Sequence, residues 1–88
     1  MAFFLYIVRC SDNSLYTGIT NDLDQRLKAH NEGRGAKYTS TRRPVVLVYE
    51  ERCSSRSTAL KREIQVKGWT KARKEALVAG SSRRDRYE

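Results

Sequence analysis

Cysteine is scarce in this sequence, which has only two among its 88 residues. Cys10 and Cys53 are too few for a disulfide scaffold, and they lack the four-ligand spacing of a structural zinc site. We interpret both as reduced core residues of an intracellular protein, and we expect a cytoplasmic location.

A long apolar segment is also missing. The longest apolar run, residues 1–8, is interrupted by Arg9, whereas a membrane-spanning helix needs about 20 apolar residues. The run has neither the basic segment nor the cleavage site of a signal peptide. We therefore expect neither membrane insertion nor secretion.

Internal repeats and linkers are absent as well, and the chain length suits one small domain whose core is only just sufficient. We predict a single domain over residues 1–80. The remaining residues, 81–88, are polar and charged, and we predict that they form a flexible tail.

Acidic residues are few relative to basic ones. The chain has 18 Lys and Arg against 10 Asp and Glu, which gives a net charge of +8 and a pI near 9.9. This balance favours a polyanionic partner, and nucleic acid is the natural one. The plain alternative is a well-solvated basic domain without such a partner.

Two short apolar runs near the N-terminus predict a β-hairpin. Residues 3–10 and 15–20 are rich in β-branched and aromatic residues, and residues 11–14 between them are typical of a turn. Gly18 lies inside the second predicted strand, where glycine usually indicates that something approaches the backbone closely. We interpret Gly18 as a place for a phosphate or a metal-bound water.

The pairing register of this hairpin decides whether its two tyrosines meet, because a shift of one residue turns a strand over. A two-residue loop would place Tyr6 and Tyr16 on opposite faces. A three-residue loop at 12–14, with one of its last two residues in the left-handed conformation, would pair Tyr6 with Thr20 and put both tyrosines on one face. We favour this second register, since Asn13 tolerates a positive φ.

Capping residues and apolar spacing predict three helices and a third strand. The first helix covers about 22–32, with Leu23 and Leu27 buried and both Arg26 and His30 at the border of that stripe. Its N-terminal caps are Asn21 and Asp24, and Gly33 ends it.

A strand follows at 45–50, and we predict that it is the central or best-covered strand. The second helix begins at a cap, Ser54 or Ser55, and ends at Lys67 before Gly68, with Leu60 and Ile64 facing inward. The third helix covers 69–79 and ends at Gly80, and its apolar face consists of Ala72, Ala76 and Leu77. The order β-β-α-β-α-α predicts an α+β fold with a three-stranded antiparallel sheet.

Residues 33–44, between the first helix and the third strand, are basic and contain two glycines. We predict a loop that contacts a phosphate backbone, with Lys37, Tyr38, Arg42 and Arg43 as substrate-binding residues. The plain alternative is a solvated connection.

Several of these residues together form a known pattern. Phe4-Leu5-Tyr6, Tyr16-Thr17-Gly18, Arg26, His30 and Glu63 occur in the order and spacing of the GIY-YIG nucleases. The chain resembles the short stand-alone GIY-YIG proteins of bacteria over nearly its whole length.

The resemblance implies hydrolysis of phosphodiester bonds with the help of Mg²⁺ or Mn²⁺, and we expect DNA, in preference to RNA, as the substrate. Many relatives owe their specificity to a separate DNA-binding module, for which this sequence has no room, so we expect low sequence specificity or targeting by nucleic-acid shape. Glu63 matches the metal ligand, and Arg26 matches the position that holds the scissile phosphate. Tyr6 and Tyr16 match the tyrosines that orient or activate water. His30 could accept a proton or hold Tyr16 and the phosphate. A protein partner could supply targeting.

Each of these residues also has an ordinary structural interpretation. Glu63 could form an ion pair with Lys67 one helical turn later, and Arg26 could pair with Asp22. Either tyrosine could simply pack in the sheet, and a single histidine beside an apolar stripe is often structural. Tyr6 could act as a base only if the metal or Arg26 lowered its pKa, which is about 10 in a free phenol.

The sequence departs from the family pattern in two places. The first triplet has Phe4 in place of glycine, and no asparagine follows Glu63, where many family members have one. The alternative function is therefore a catalytically weak or inactive module that binds nucleic acid through residues 34–43. A third hypothesis is a structural or interaction protein.

Overall fold

The computed structural model describes residues 2–85, in which three strands and four helices form an α+β fold. The elements are β1 (Phe3–Arg9), β2 (Leu15–Thr20), α1 (Leu23–Asn31), α2 (Lys37–Ser40), β3 (Val46–Cys53), α3 (Arg56–Lys67) and α4 (Lys71–Asp85). The strands form one antiparallel sheet in the order β2-β1-β3, so the predicted fold class is confirmed. The short helix α2 lies in the stretch that was predicted to be a loop. Of the predicted tail at 81–88, residues 86–88 lie outside the described part of the chain.

The central strand is β1. Four successive residues, Leu5 to Val8, are buried, which requires cover on both faces of the sheet. The prediction that the third strand is central is wrong. β3 lies at an edge, and its first residue, Val46, is 60 % exposed.

The hairpin turn contains three residues, 11–13, and therefore starts one residue earlier than predicted. The backbone N–H of Cys10 donates to the carbonyl of Ser14 at 2.8 Å, and Asn13 has a φ of +71°. The Asp12 carboxylate accepts from the backbone N–H of Ser14 at 3.0 Å. These local bonds fix the turn, and Asn13 takes the left-handed conformation expected of it.

This turn pairs Tyr6 with Gly18 and Val8 with Tyr16. The predicted pairing of Tyr6 with Thr20 is wrong by two residues. Because side chains alternate with a period of two, a shift of two residues keeps every side chain on its face. The prediction that Tyr6 and Tyr16 share a face is confirmed, and both pack in the same apolar cluster.

The ends of α1 explain its length. Asp22, and not the predicted Asn21, is the N-cap, and its Oδ1 accepts from the backbone N–H of Gln25 at 3.1 Å. Gly33 follows the helix with a φ of +85°, and its N–H donates to the carbonyl of His30 at 3.1 Å. The predicted stop at Gly33 is confirmed.

The sheet separates two apolar clusters. On one face Leu5 and Ile7 pack with Ala59 and Val66 of α3 and with Leu77 of α4. The side chains of the other face, next to α1, are Tyr6, Val8, Cys10, Val45, Tyr16, Leu23, Leu27 and Leu47. Tyr6 and Tyr16, the two tyrosines of the hairpin, lie on the second face.

The rotation of α3 differs from the prediction. Ser55 caps it and Gly68 ends it, as expected, but Ile64 is 73 % exposed and Ala59 and Val66 are buried. The buried stripe therefore passes through Ala59, position 63 and Val66, at helical spacing. The small Ala59 side chain is fully buried beneath the sheet, which turns Glu63 inward and Ile64 outward.

Helix α4 also departs from the prediction. It runs through Gly80 instead of ending there. Leu77 and Val78 pack on the core, whereas Ala72 and Ala76 are exposed.

No helix within residues 2–85 has the length and apolar character needed to cross a bilayer.

Candidate active site

A buried chain of hydrogen bonds runs from Tyr6 through His30 to Thr39. The Tyr6 hydroxyl lies 2.7 Å from Nε2 of His30, and Nδ1 of His30 lies 2.7 Å from Oγ1 of Thr39. Thr39 donates its only hydroxyl proton to the carbonyl of Ala36 at 3.1 Å, so it accepts from Nδ1–H of His30. His30 therefore presents an unprotonated Nε2 that accepts from the Tyr6 hydroxyl.

Burial keeps His30 neutral. The side chain is completely enclosed, and this burial, together with the positive charge of Arg26, lowers the pKa of His30 below its ordinary value. His30 was predicted to lie at the border of the apolar stripe, but it lies inside the core. A neutral imidazole that accepts from a phenol is suited to receive a proton from it.

Arg26 contacts the same phenol from the other side. Its Nε–H donates to the Tyr6 oxygen at 3.3 Å, and its Nη2 donates to the carbonyl of Gly35 at 2.7 Å. Among the described residues Arg26 forms no ion pair with Asp22, so the ordinary interpretation of Arg26 does not apply.

Burial raises the pKa of Tyr6, although the hydrogen bond and charge of Arg26 act in the opposite direction. The phenol therefore stays protonated at neutral pH. The interpretation of Tyr6 as a base with a lowered pKa is not supported. The geometry favours a phenol that is held in place and that can give its proton to His30.

Gly18 makes room for the Tyr6 ring. A Cβ atom at Gly18 would lie 2.5 Å from the Tyr6 hydroxyl and 2.7 Å from its Cζ. The Tyr6 ring therefore occupies the space that a side chain at position 18 would need. We had expected a phosphate or a metal-bound water to come close to Gly18, but in the structure the Tyr6 ring lies there.

Two residues of the site were missed by sequence reasoning, Gly35 and Thr39. A Cβ atom at Gly35 would lie 2.5 Å from Cγ of His30, so glycine is needed for the loop to pass over the imidazole. Both residues lie in the basic stretch after α1, and no periodicity relates that stretch to the strand that carries Tyr6. Only the glycine itself was a signal.

The substrate-binding candidates divide into two places. Tyr16 meets His30 edge-on at 5.4 Å between ring centroids and stacks on Tyr38 at 6.0 Å. The Arg42 guanidinium lies over the Tyr38 ring, 3.9 Å from its centroid. This ladder, Tyr16–Tyr38–Arg42, extends the site outward beside Lys37 on α2.

Arg43 does not join the other candidate site residues. It donates to the carbonyl of Ser40 at 2.9 Å and lines a broad depression of about 680 Å³ with Asn31, Thr41 and Pro44. A smaller pocket of about 280 Å³ lies next to Arg26 and is lined also by Thr20, Asp22, Gln25, Ala29 and Arg34. This second pocket adjoins Arg26.

Glu63 lies near the two tyrosines, with only 17 % of its side chain exposed. Its negative charge contributes to raising the pKa of Tyr6, which places the carboxylate within electrostatic range of that phenol. Lys67 lies 3.4 Å from Oε2 of Glu63 and 5.8 Å from the centroid of the Tyr16 ring. The expected ion pair between Glu63 and Lys67 is therefore present.

The donor set around Glu63 fits only one kind of metal site. Within residues 2–85 there is no group of three or more His, Cys, Asp or Glu side chains that could hold an ion. Mg²⁺ is often bound by one or two carboxylates and completes its shell with water and substrate phosphate. A single partly enclosed carboxylate fits that pattern, and Glu63 would be the protein ligand.

Comparison with known families and structures gives matches over most of the chain. Residues 2–76 match the model of the GIY-YIG catalytic domain. The UPF0213 protein SH2523 of Staphylococcus haemolyticus is 52 % identical over 75 residues, which cover 85 % of this chain and 92 % of that protein. The UPF0213 protein SAV0488 of Staphylococcus aureus is 53 % identical over the same shares of both chains.

Two solution NMR structures have the same fold. The UPF0213 protein BH0048 of Bacillus halodurans is 43 % identical, with a TM-score of 0.58, over 90 % of this chain and 84 % of that chain. The protein EF2693 of E. faecalis is 35 % identical, with a TM-score of 0.63, over 91 % of this chain and 85 % of that chain.

Proposed function

The chain belongs to the GIY-YIG nuclease family, and on this basis we propose that it hydrolyses DNA phosphodiester bonds with a divalent metal ion and low sequence specificity. The observation that carries the proposal is that Tyr6 contacts both His30 and Arg26, with Glu63 within electrostatic range. These residues come from three separate elements, and ordinary packing does not require them to meet.

Tyr6 and His30 handle the proton of the attacking water in this proposal. The Tyr6 oxygen takes a proton from the water that attacks the phosphate, while the phenol proton moves to Nε2 of neutral His30. Arg26 stabilises the negative charge that develops on the phenol oxygen during this transfer, and Thr39 holds Nδ1–H of His30. Tyr16 fixes the other side of the imidazole through its edge contact.

Arg26 also serves the phosphate. Its Nε and Nη2 nitrogens are used by Tyr6 and Gly35, and Nη1 has no hydrogen-bond partner among the residues that the structure describes. Nη1 can therefore donate to a phosphate oxygen whose charge grows in the transition state. Glu63 would hold Mg²⁺ or Mn²⁺. When bound, this ion stabilises charge on the phosphate and increases the acidity of its water.

The surroundings of the site are suited to a nucleic-acid strand. The pocket beside Arg26 can admit the strand next to the scissile phosphate, and Arg34 adds a second guanidinium there. Lys37 and the Tyr16–Tyr38–Arg42 ladder provide cationic and aromatic contacts on the opposite side. We propose DNA as the substrate and a protein partner for targeting. We also propose a cytoplasmic location, which is supported by the two free, buried cysteines.

The test is cleavage of end-labelled DNA in single-stranded, duplex and branched forms with Mg²⁺ or Mn²⁺. We expect cleavage by the wild type and its loss in Glu63→Ala and in Arg26→Ala. Glu50→Ala and Arg56→Ala, which change exposed residues of the same types, are the matched controls. Activity that persists in Glu63→Ala and Arg26→Ala would refute the assignment.

A second candidate is a module that binds nucleic acid without cleaving it. It is favoured by the lack of an asparagine after Glu63 and by the lysine that already pairs with the Glu63 carboxylate. Binding that weakens steeply with salt, without cleavage in any divalent metal, would support this candidate. The Lys37→Ala, Arg42→Ala, Arg43→Ala triple variant would then lose affinity.

A further inference from the structure

We propose that Lys67 is a tethered cation that occupies the Glu63 carboxylate until a divalent ion displaces it. Metal binding and release of Lys67 are then a single exchange at one carboxylate. This inference rests on the proposed function, because it takes Glu63 to be the metal ligand. It gives a role in metal affinity to Lys67 beyond its ion pair with Glu63.

The position of Lys67 supports this role. It is the last residue of α3 and lies one turn after Glu63. Its ammonium is 3.4 Å from Oε2 of Glu63 and 5.8 Å from the centroid of the Tyr16 ring. The carboxylate and the π face of the tyrosine both attract a cation, so the ammonium is held at the entrance to the site.

The difference in exposure indicates how the exchange can occur. Glu63 is largely enclosed, with 17 % of its side chain exposed, whereas half of the Lys67 side chain is exposed. The carboxylate therefore stays in place while the long lysine side chain can swing into solvent. A helical ion pair of this spacing whose lysine is half exposed is weak, so a divalent ion can replace the ammonium.

Charge repulsion makes the exchange competitive. A divalent ion and an ammonium cannot share one carboxylate without strong like-charge repulsion. Removal of the lysine charge must therefore strengthen metal binding. From the usual strength of exposed ion pairs, the gain in affinity is about two- to five-fold.

The chain supplies a matched control in Lys71 and Glu75. This pair has the same spacing on a helix and a similar distance of 3.2 Å, and its lysine is as exposed as Lys67. Glu75 is bound to Arg9 and has no part in the proposed metal site. A general effect of the loss of one surface lysine would appear equally in Lys67→Met and Lys71→Met.

The experiment measures Mn²⁺ binding directly, by the electron paramagnetic resonance signal of free Mn²⁺, in the full chain without nucleic acid. We expect Lys67→Met to bind Mn²⁺ about two- to five-fold more tightly than the wild type. Lys67→Arg keeps the charge and should bind as the wild type does, as should Lys71→Met. Circular dichroism melting would show that each variant is folded.

Equal or weaker Mn²⁺ binding by folded Lys67→Met would overturn the inference and leave the proposed function intact. An equal gain in Lys67→Met and Lys71→Met would also overturn it, because the effect would then be one of net charge. If Glu63→Gln binds Mn²⁺ as well as the wild type does, the metal assignment itself fails.

Discussion

The Tyr6 hydroxyl donates to Nε2 of His30 across 2.7 Å and so joins the central strand to α1 inside the core. The direction of this bond is set by Thr39, which accepts from the other ring nitrogen. A residue of the short helix α2 thus determines which nitrogen of His30 is free to receive a proton. The basic stretch after α1 consequently supports the proposed catalytic centre as well as the outer surface.

Replacement of Thr39 should disturb the orientation and tautomer of His30. Thr39 itself is not one of the residues proposed to contact the substrate. In Thr39→Val, Nδ1–H of His30 loses its acceptor, and the tautomer with a free Nε2 is no longer favoured. We expect the cleavage rate to fall about 10- to 100-fold, by analogy with the partners that orient metal-bound histidines. Thr39→Ser should retain most activity. Equal rates for Thr39→Val and Thr41→Val, which changes an exposed threonine, would contradict this role.

The acid limit of activity should reflect the lowered pKa of His30. Burial, followed by the charge of Arg26, favours the neutral imidazole, so His30 should remain able to accept a proton below its ordinary pKa of about 6.5. As the pH falls, His30 of the unfolded chain becomes protonated at a higher pH than His30 of the folded protein. The stability that His30 contributes is therefore lost from pH 6.5 downward, until the pKa of the folded state is passed.

An NMR titration of the single histidine measures this directly, and a pH–rate profile tests its consequence. We expect the His30 ring to titrate below pH 6.5 in the folded protein, and Arg26→Gln to raise that midpoint. A midpoint at or above 6.5 in the wild type would show that burial does not control His30.

Gly18→Ala should push the Tyr6 ring out of place. The new methyl group would lie 2.5 Å from the hydroxyl and 2.7 Å from Cζ, and overpacking of this kind costs about 1–3 kcal/mol of folding free energy. The control is Gly80→Ala, where nothing lies within 4 Å of the added Cβ. It should stabilise α4 by about 0.5–1 kcal/mol. Urea denaturation of both variants tests this, and an unchanged stability in Gly18→Ala would contradict it.

The ion pair between Arg9 and Glu75 should make stability depend on acid. Arg9 donates to both carboxylate oxygens at 2.6 and 2.7 Å, and this bond, with a smaller effect of Lys71, lowers the pKa of Glu75 to about 2. The pair contributes stability above the ordinary pKa of a glutamate, and that contribution is lost as the pH falls toward 2.

Glu75→Gln should therefore have a lower Tm than the wild type at pH 7, and the two Tm values should converge between pH 4.5 and 2. Both side chains are about one-third exposed, so added salt should reduce the difference at pH 7. Glu50→Gln is the control for loss of one exposed carboxylate. A constant Tm difference at every pH would exclude the ion pair as its cause.

The sequence was informative wherever local chemistry decides the structure. Gly33 and Ser55 occupy the cap positions predicted for them, because these ends depend on residues within one turn. The common face of Tyr6 and Tyr16 was predictable since it requires only an even register. The register itself was not predictable, because the hydrogen bonds between Asp12 and Ser14 determine which residues form the turn.

Tertiary contacts decided the features that the sequence did not reveal. Ile64 reads as a core residue, but the small Ala59 and Val66 pack on the sheet and turn Ile64 to solvent. The same rotation turns Glu63 inward, within electrostatic range of Tyr6. The apolar run of β3 would suit a central strand as well as an edge strand. In the structure β2 and β3 both pair with β1, which places β1 in the centre and β3 at an edge.

The most direct test of the account is the single-turnover rate of DNA cleavage in Tyr6→Phe, which removes one hydroxyl from the centre of the site. Tyr49→Phe is the matched control, since the Tyr49 hydroxyl is also hydrogen-bonded, to Glu51 at 2.6 Å, in the other apolar cluster. We expect Tyr6→Phe to cleave at least about 100-fold more slowly than the wild type and Tyr49→Phe to cleave at the wild-type rate. Equal rates for folded Tyr6→Phe and Tyr49→Phe would contradict the central claim.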